Sequence, residues 1–307
     1  MIRLTGRVLL LALCSLIAPA LLQAQDTSLA RVHYKMARKY AASQDFNSAL
    51  YFLNKAIAIN PANATYYSER ATVYLEMNQA DSGLADFNRA IAIKPTSARL
   101  YFYRSDLYLI MQKPDEAVAD ICKAAELEPR NKSVLMQKAF VLAKVKRYDE
   151  AAAQYDKLMR IDPKNPGIYY NKGKLEEIQK KWNEAIALYT KAISLGDKLS
   201  YNNRAICREE IKDVEGAEKD YNMVVQLKPH DPEVYANRGR FLLEQNKLDL
   251  AKEDLKQWNS MLPDDAESWY YLARLLKKQN DPEACIYAKK AKELGAKESF
   301  EISDFCK

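Results

Sequence analysis

The stretch AIAINPANATYY, residues 56–67, decides the fold, because the chain repeats it 34 residues later as AIAIKPTSARLY, residues 90–101. A weaker copy, AAELEPRNKSVL, follows at residues 124–135. Each copy ends a helix-forming run with a proline and resumes with a bulky residue. Because proline cannot continue a helix interior, the recurrence predicts helices that stop and restart at a fixed interval.

Prolines set the register of this series. Six of them keep the 34-residue spacing, in one group of four and one pair: Pro61, Pro95, Pro129, Pro163, Pro229 and Pro263. The frame gives eight repeats: 30–63, 64–97, 98–131, 132–165, 166–197, 198–231, 232–265 and 266–298. The fourth position of each repeat is aromatic or bulky, and the eighth and twentieth hold Ala, Gly or Ser. Small residues at these two positions predict two antiparallel helices in close contact.

This pattern resembles the tetratricopeptide repeat, or TPR, over about 270 of the 307 residues. The resemblance implies an all-α TPR solenoid, a right-handed superhelix of about eight helix-turn-helix repeats. Residues 30–298 form the predicted array, and residues 299–307 form a predicted C-terminal capping helix. The composition, with only 8 Gly and 11 Pro, favours helix in the same way.

The N-terminal residues differ from the repeats. MIRLTGR is basic, and VLLLALCSLIAPALL, residues 8–22, is apolar but short for a membrane span. We interpret residues 1–24 as a secretory signal peptide, with cleavage after Ala24 favoured over cleavage after Ala20, and residues 25–29 as a linker. No later segment is apolar enough to span a bilayer. The expected location is the bacterial periplasm, with the endoplasmic reticulum lumen or the extracellular space as alternatives.

The seventh repeat position, usually leucine in the family, is arginine in four repeats. Each of these repeats has an aspartate 16 residues later, and none of the other four does. The pairs are Arg70 with Asp86, Arg104 with Asp120, Arg204 with Asp220, and Arg238 with Asp254. This pairing predicts a structural salt bridge between the two helices of one repeat, and a structural role for the arginines.

Four cysteines follow the signal segment. Cys122 and Cys207 lie in distant repeats, and we interpret both as small buried residues. Cys285 and Cys306 lie on opposite sides of Gly295, so an antiparallel arrangement of the last segments would bring them together. An oxidising compartment would permit a disulfide between them. The alternative is two unpaired thiols.

Few residues could form an active site. His33 and His230 lack partners at metal-ligand spacing, and no cysteine pair has zinc spacing. No glycine-rich phosphate loop or exposed nucleophile motif is present. We therefore expect a protein that is not an enzyme, with no catalytic residue, no metal and no cofactor. Basic and acidic residues are interleaved without a basic block, so we expect no nucleic-acid partner.

The resemblance also implies a binding groove, which the first helices of TPRs line with positions 2, 5, 9, 12 and 13. Carried onto this chain, these positions predict peptide-binding residues: Leu75, Arg99, Phe102, Asp106, Leu109, Ile110, Met136, Phe140, Lys144, Tyr170 and Lys174. The groove is expected to be apolar in its first half and charged in its second. The alternative is that its aromatic residues pack on their neighbours.

The predicted function follows from the array and the groove. We expect a non-catalytic protein-interaction scaffold that binds a peptide segment or a partner protein. Two alternatives stay open: a periplasmic or luminal co-chaperone that holds unfolded proteins, and an accessory subunit of an envelope assembly. Pull-down of a single partner would favour the scaffold, and binding of many denatured proteins would favour the co-chaperone. The identity of the partner is not encoded in any motif.

Overall fold

The computed structural model of the protein describes residues 28–296 and 301–306. The predicted signal segment 1–24 lies outside these residues, as do 299, 300 and 307 of the predicted cap. Within the described residues the chain forms sixteen α-helices, one 3₁₀ turn and no strand. They are α1 (28–42), α2 (Phe46–Ile59), α3 (Ala64–Glu76), α4 (Ala80–Ile93), α5 (Ala98–Ile110), α6 (Pro114–Leu127), α7 (Lys132–Lys144), α8 (Tyr148–Ile161), α9 (Pro166–Ile178), α10 (Trp182–Ser194), α11 (Ser200–Glu210), α12 (Val214–Leu227), α13 (Pro232–Glu244), α14 (Leu248–Met261), α15 (Ala266–Lys278), α16 (Ala284–Glu293) and the 3₁₀ turn η1 (Ile302–Asp304).

The helices group into two compact units. Unit 1 ends at Leu158 and unit 2 begins at Met159, so the boundary falls inside α8. Within each unit, successive helices pack as pairs, such as α3 with α4 in unit 1 and α13 with α14 in unit 2. The all-α fold class predicted from the repeats is therefore confirmed.

Small residues allow the helices of a pair to approach. Ala71 and Ala205 at the eighth repeat position are completely buried. Gly173 takes this position in the fifth repeat, where an added Cβ would lie 2.7 Å from Cε1 of Tyr189. The large Tyr189 ring therefore fits only because Gly173 has no side chain.

Each pair is joined by a tight turn whose geometry the sequence does not announce. Eight residues, one at the fifteenth position of every repeat, have a left-handed backbone with φ between 56° and 63°: Gln44, Asn78, Gln112, Lys146, Lys180, Lys212, Asn246 and Asn280. In the third repeat, the Lys113 amide donates to the Tyr108 carbonyl at 2.8 Å and the Gln112 amide donates to the Leu109 carbonyl at 3.1 Å. These two bonds form a Schellman motif, in which glycine is the usual left-handed residue.

Between repeats, the proline loops end in helix caps. Asn63, Asn131, Asn165, Asp231 and Asp265 each accept a hydrogen bond from a backbone amide of the following helix. The cap satisfies an amide that has no partner within the helix. Polar residues after the proline therefore fix where each first helix begins, and this sets the direction of its groove-facing side chains.

Candidate functional site

The arginines at the seventh repeat position form two-pronged salt bridges. In Arg70, Nε and Nη2 donate to the two carboxylate oxygens of Asp86, each at 2.7 Å. Equivalent bonds of 2.7–2.8 Å join Arg104 to Asp120, Arg204 to Asp220 and Arg238 to Asp254. The structure thus brings together all four pairs that the sequence nominated. The hydrogen bond to Asp86 raises the pKa of Arg70 above its already high ordinary value.

A third residue completes each bridge, and the sequence analysis missed it. The Arg70 Nη1 donates to the Asn54 side-chain oxygen at 2.6 Å, and Arg104 Nη1 donates to Asn88 at 2.7 Å. Thr190 and Asn222 do the same for Arg204 and Arg238. These acceptors belong to the second helix of the preceding repeat. The signal was available, because an Asn or Thr stands 16 or 14 residues before each arginine.

These bridges leave the arginines with little capacity for a ligand. Each guanidinium donates to three side-chain oxygens, and the aspartates are buried, with Asp220 the most enclosed. Bidentate Arg–carboxylate pairs fix geometry well, and breaking one inside a protein leaves an uncompensated charge. The four arginines therefore hold helices together.

A groove in unit 1 gathers five of the predicted binding residues. It has a volume of about 910 Å³ and lies between α5, the turn into α6, and the end of α7. The predicted residues in its wall are Asp106, Leu109, Ile110, Phe140 and Lys144. The wall also includes Gln112, Lys113, Pro114, Gln137, Val145 and Lys146, which the prediction did not name. We call this hollow the unit 1 groove.

Apolar side chains of the unit 1 groove face solvent. Ile110 is 66% exposed and Phe140 is 41% exposed. Lys144 Nζ lies 5.3 Å from the centre of the Phe140 ring, on its face. Exposed isoleucine and phenylalanine side chains in a hollow are typical of a surface that another molecule covers.

One carboxylate stands in the unit 1 groove. Asp106 is half-buried and accepts a hydrogen bond from the Gln137 side-chain amide. Loss of water around it raises the pKa of Asp106 above its ordinary value, although the Gln137 hydrogen bond opposes this shift. Asp106 and Gln137 thereby tie α5 to α7 at the base of the groove.

The other predicted residues of unit 1 lie outside this groove. Leu75 packs beside the buried cluster of Ala71, Phe87 and Leu107. Phe102 is half-buried and contacts the edge of the Tyr103 ring, with ring centres 5.5 Å apart. For these residues the alternative interpretation, packing on neighbours, describes the structure.

Arg99 and Met136 also lie outside the groove. The Arg99 guanidinium lies over the face of Tyr103, 5.2 Å from its centre, and Met136 is half-buried.

In unit 2 the corresponding face is polar and internally bonded. Tyr170 lines a smaller hollow of about 300 Å³, and Lys174 lies over the Tyr170 ring at 5.9 Å. Glu177 accepts hydrogen bonds from the Tyr189 hydroxyl and, at 3.3 Å, from the Asn203 amide. Burial and the nearby Glu177 raise the pKa of the Tyr189 hydroxyl, so this hydroxyl stays a donor at neutral pH.

The polar face continues along α13 and α15. Asn237 donates to Asn202 at 3.0 Å and accepts from Arg240 at 2.6 Å. Arg274 donates to Glu244 at 2.7 Å. The predicted charge of this half is present, but these side chains bind one another.

The C-terminal segment is joined to the last helix pair. Cys285 and Cys306 form a disulfide with their Cα atoms 4.6 Å apart. Next to it, Phe305 packs 6.4 Å from the ring centre of Tyr270, and Lys277 Nζ lies 5.1 Å from the Phe305 ring centre. In the described part of the predicted cap, the only helical element is the three-residue turn η1. Cys207 is buried, whereas Cys122 is only partly buried, so the second of the two free thiols is less enclosed than expected.

Searches for metal sites and membrane spans covered the described residues. Among residues 28–296 and 301–306, no group of three His, Cys, Asp or Glu side chains is arranged to hold a metal ion. In the same part of the chain, no helix is long and apolar enough to cross a membrane.

Sequence comparison supports the repeat assignment. Models described as "TPR repeat" and "Tetratricopeptide repeat" match residues 141–176, 68–133 and 166–195. The chain belongs to the tetratricopeptide repeat family. No curated protein sequence matches this TPR chain significantly.

Solved structures share the fold of this TPR protein. Pseudomonas aeruginosa PilF has 16% identity and a TM-score of 0.56, and the match covers 72% of this chain and 99% of PilF. PilW, a widely conserved type IV pilus biogenesis factor, has 19% identity and a TM-score of 0.58, over 67% of this chain and 97% of PilW. Cut9–Hcn1, an APC/C hetero-tetramer, has 19% identity and a TM-score of 0.54, over 85% of this chain and 52% of the matched chain. At these identities the likeness shows the fold alone.

Proposed function

We propose that this TPR protein is a non-catalytic interaction scaffold whose unit 1 groove binds a peptide segment of a partner protein. The observation that carries the proposal is the exposure of Ile110 and Phe140 inside a hollow of about 910 Å³. Apolar side chains in a concave site gain most from a partner that removes them from water. The repeat architecture supports the same interpretation, because TPR arrays serve protein interaction.

The groove suits an extended segment with one or two bulky apolar side chains. Its walls come from two successive first helices, α5 and α7, and its floor is apolar through Leu109 and Val145. A peptide side chain inserted there would contact Ile110 and Phe140 from both walls. Peptide recognition by pockets for a few anchor residues is a common mode, and a few anchors carry most of the binding energy.

A peptide library tests the proposal directly. A displayed library of random twelve-residue peptides would be selected on the wild-type protein, and the enriched peptides measured by fluorescence anisotropy. We expect Ile110→Ser with Phe140→Ser to weaken binding by about tenfold or more, because both anchors of the groove are removed. Circular dichroism should stay unchanged, since both side chains are exposed.

Ile178→Ser is the matched control. Ile178 occupies the same repeat position as Ile110 and is 59% exposed, but it lines neither of the larger hollows of unit 2. This variant should bind the enriched peptides as wild type does. If no peptide is enriched, or if the double variant binds as tightly as wild type, the groove is not the binding site.

We further propose that the protein is exported, with the periplasm as its location. Support comes from the basic and apolar pattern of residues 1–24 and from the Cys285–Cys306 disulfide, which is typical of oxidising compartments. Intact-mass measurement of the protein from its native cells should show a chain that begins at Gln25. A mass that includes Met1 would contradict this proposal.

A further inference from the structure

Three lysines stand at the rim of the unit 1 groove. Lys113 precedes α6, Lys144 is the last residue of α7, and Lys146 occupies the left-handed position of the following turn. All three line the hollow, and all three are exposed. None of them has a carboxylate within salt-bridge distance among the residues that the structure describes.

The acidic side chains nearby do not balance these lysines. Asp106 is the only carboxylate that lines the groove, and its hydrogen bond to Gln137 directs it toward α7. Glu150 is occupied by Arg147, whose Nε lies 2.6 Å from its Oε1. The rim therefore has three positive charges against one negative charge, and the excess remains available to a ligand.

The chain contains one example of an acid-flanked aromatic residue on a first helix. Phe305 follows Asp304 and packs against Tyr270, with Lys277 over its ring. Tyr270 and Lys277 lie on α15, at the repeat positions that the family resemblance assigns to a groove. In unit 1, Lys144 and Phe140 make a similar lysine–aromatic arrangement, but their ring faces open solvent.

We propose that the segment bound in the unit 1 groove is acidic: an apolar or aromatic anchor flanked by Asp or Glu. The anchor contacts Ile110 and Phe140, and the flanking carboxylates pair with Lys113, Lys144 and Lys146. Charge complementarity of this kind selects among partners and speeds association. This inference rests on the proposed peptide-binding function of the same groove.

The test uses the peptides enriched on the wild-type protein. We expect Asp and Glu to be over-represented beside the apolar anchors in that pool. The tightest peptide would be compared with a version in which every Asp is Asn and every Glu is Gln, in low and high salt. The acidic version should bind about tenfold more tightly in low salt, and this advantage should shrink as salt screens the charges.

Lysine substitutions connect the preference to the rim. The variant Lys113→Gln, Lys144→Gln, Lys146→Gln should lose most of the preference for the acidic version while keeping the binding of the amide version. Lys212→Gln is the control, because Lys212 has the same left-handed turn position as Lys146 but lies in unit 2. It should keep the full preference.

Failure of the inference and failure of the proposed function give different results. Enriched peptides with apolar anchors but no acidic excess, or equal binding of the two versions, would overturn the inference and leave the groove as a binding site. Acidic peptides that bind the triple lysine variant unchanged would also overturn it. A pool whose binding survives Ile110→Ser with Phe140→Ser would overturn both.

Discussion

Units 1 and 2 use the same repeat positions in opposite ways. In unit 1, Ile110 and Phe140 point into an open groove with lysines at its rim. In unit 2, Asn237, Arg240 and Glu177 take part in hydrogen bonds with side chains of neighbouring helices. Unit 1 therefore offers its groove face to another molecule, whereas unit 2 uses much of that face for its own cohesion.

The difference teaches that a groove position does not make a binding residue. Whether a side chain is available depends on what its neighbours supply, and that is a property of pairs of repeats. It also implies that unit 2 should suffer more than unit 1 when a buried polar group is removed, because more of its polar groups depend on one another.

The largest effect is expected for Asp220→Ala in unit 2. Asp220 accepts from Arg204 and also from Arg208 at 2.9 Å, and its side chain is only 3% exposed. Removing it leaves two arginines without their carboxylate and should cost about 3–5 kcal/mol. Urea unfolding followed by tryptophan fluorescence measures this, since Trp182, Trp258 and Trp269 all lie in unit 2.

Asp86→Ala is the matched change in unit 1. Only Arg70 loses its carboxylate there, and Arg70 keeps the bond to Asn54. We expect a smaller loss, about 1–3 kcal/mol, measured by circular dichroism because unit 1 has no tryptophan. An equal cost at the two sites would remove the energetic basis of the comparison.

The second prediction concerns the disulfide that holds the tail against unit 2. Cys285→Ser frees a loop closed over a sequence separation of 21, which should cost roughly 3 kcal/mol in the loop-entropy model. Hydrogen exchange of α15 and α16 should then accelerate while the amides of unit 1 stay unchanged. Cys122→Ser, at a free cysteine of unit 1, should leave α16 protected. Unchanged exchange in Cys285→Ser would show that the staple is dispensable.

The third prediction tests packing that is particular to unit 2. Gly173→Ala places a methyl group 2.7 Å from the Tyr189 ring and should cost about 2 kcal/mol, because the ring cannot shift without losing its bond to Glu177. Adding Tyr189→Leu should recover part of this loss, as Leu255 already packs beside Gly239 at the equivalent positions. Thermal unfolding of both variants provides the measurement, and no recovery would contradict the steric explanation.

The smallest effect should be equal in the two units. Lys146→Gly in unit 1 and Lys212→Gly in unit 2 both replace a left-handed lysine in a Schellman turn. Glycine adopts this backbone without a side-chain clash, so each change should stabilise its own unit by about 1 kcal/mol, measured by urea unfolding. A destabilisation by either would mean that the lysine side chain makes a contribution larger than its backbone cost.

Much of the fold could be predicted because it depends on period. The prolines and small residues recur in fixed register, and eight copies support one another. The turn geometry could not be predicted, because its usual marker, glycine, is absent at all eight left-handed positions. There the backbone is fixed by the packing of the two helices that it joins.

The site could be predicted only where the pattern involved two residues. Arg104 and Asp120 vary together across the repeats, so their contact was visible in the sequence. Phe102 and Met136 were nominated from position alone, and they lie outside the groove. Lys113 and Lys146 line it but occupy turns, which the family positions do not cover.

The three-residue bridge of Arg104 has a consequence for binding entropy. Because Arg104 connects α5 to Asp120 on α6 and to Asn88 on α4, three helices are held in one orientation before any ligand arrives. The α5 wall of the unit 1 groove is thus already ordered, while α7 has Lys138 in place of that arginine. A ligand would lose less conformational freedom in settling against the first wall than in settling against the second.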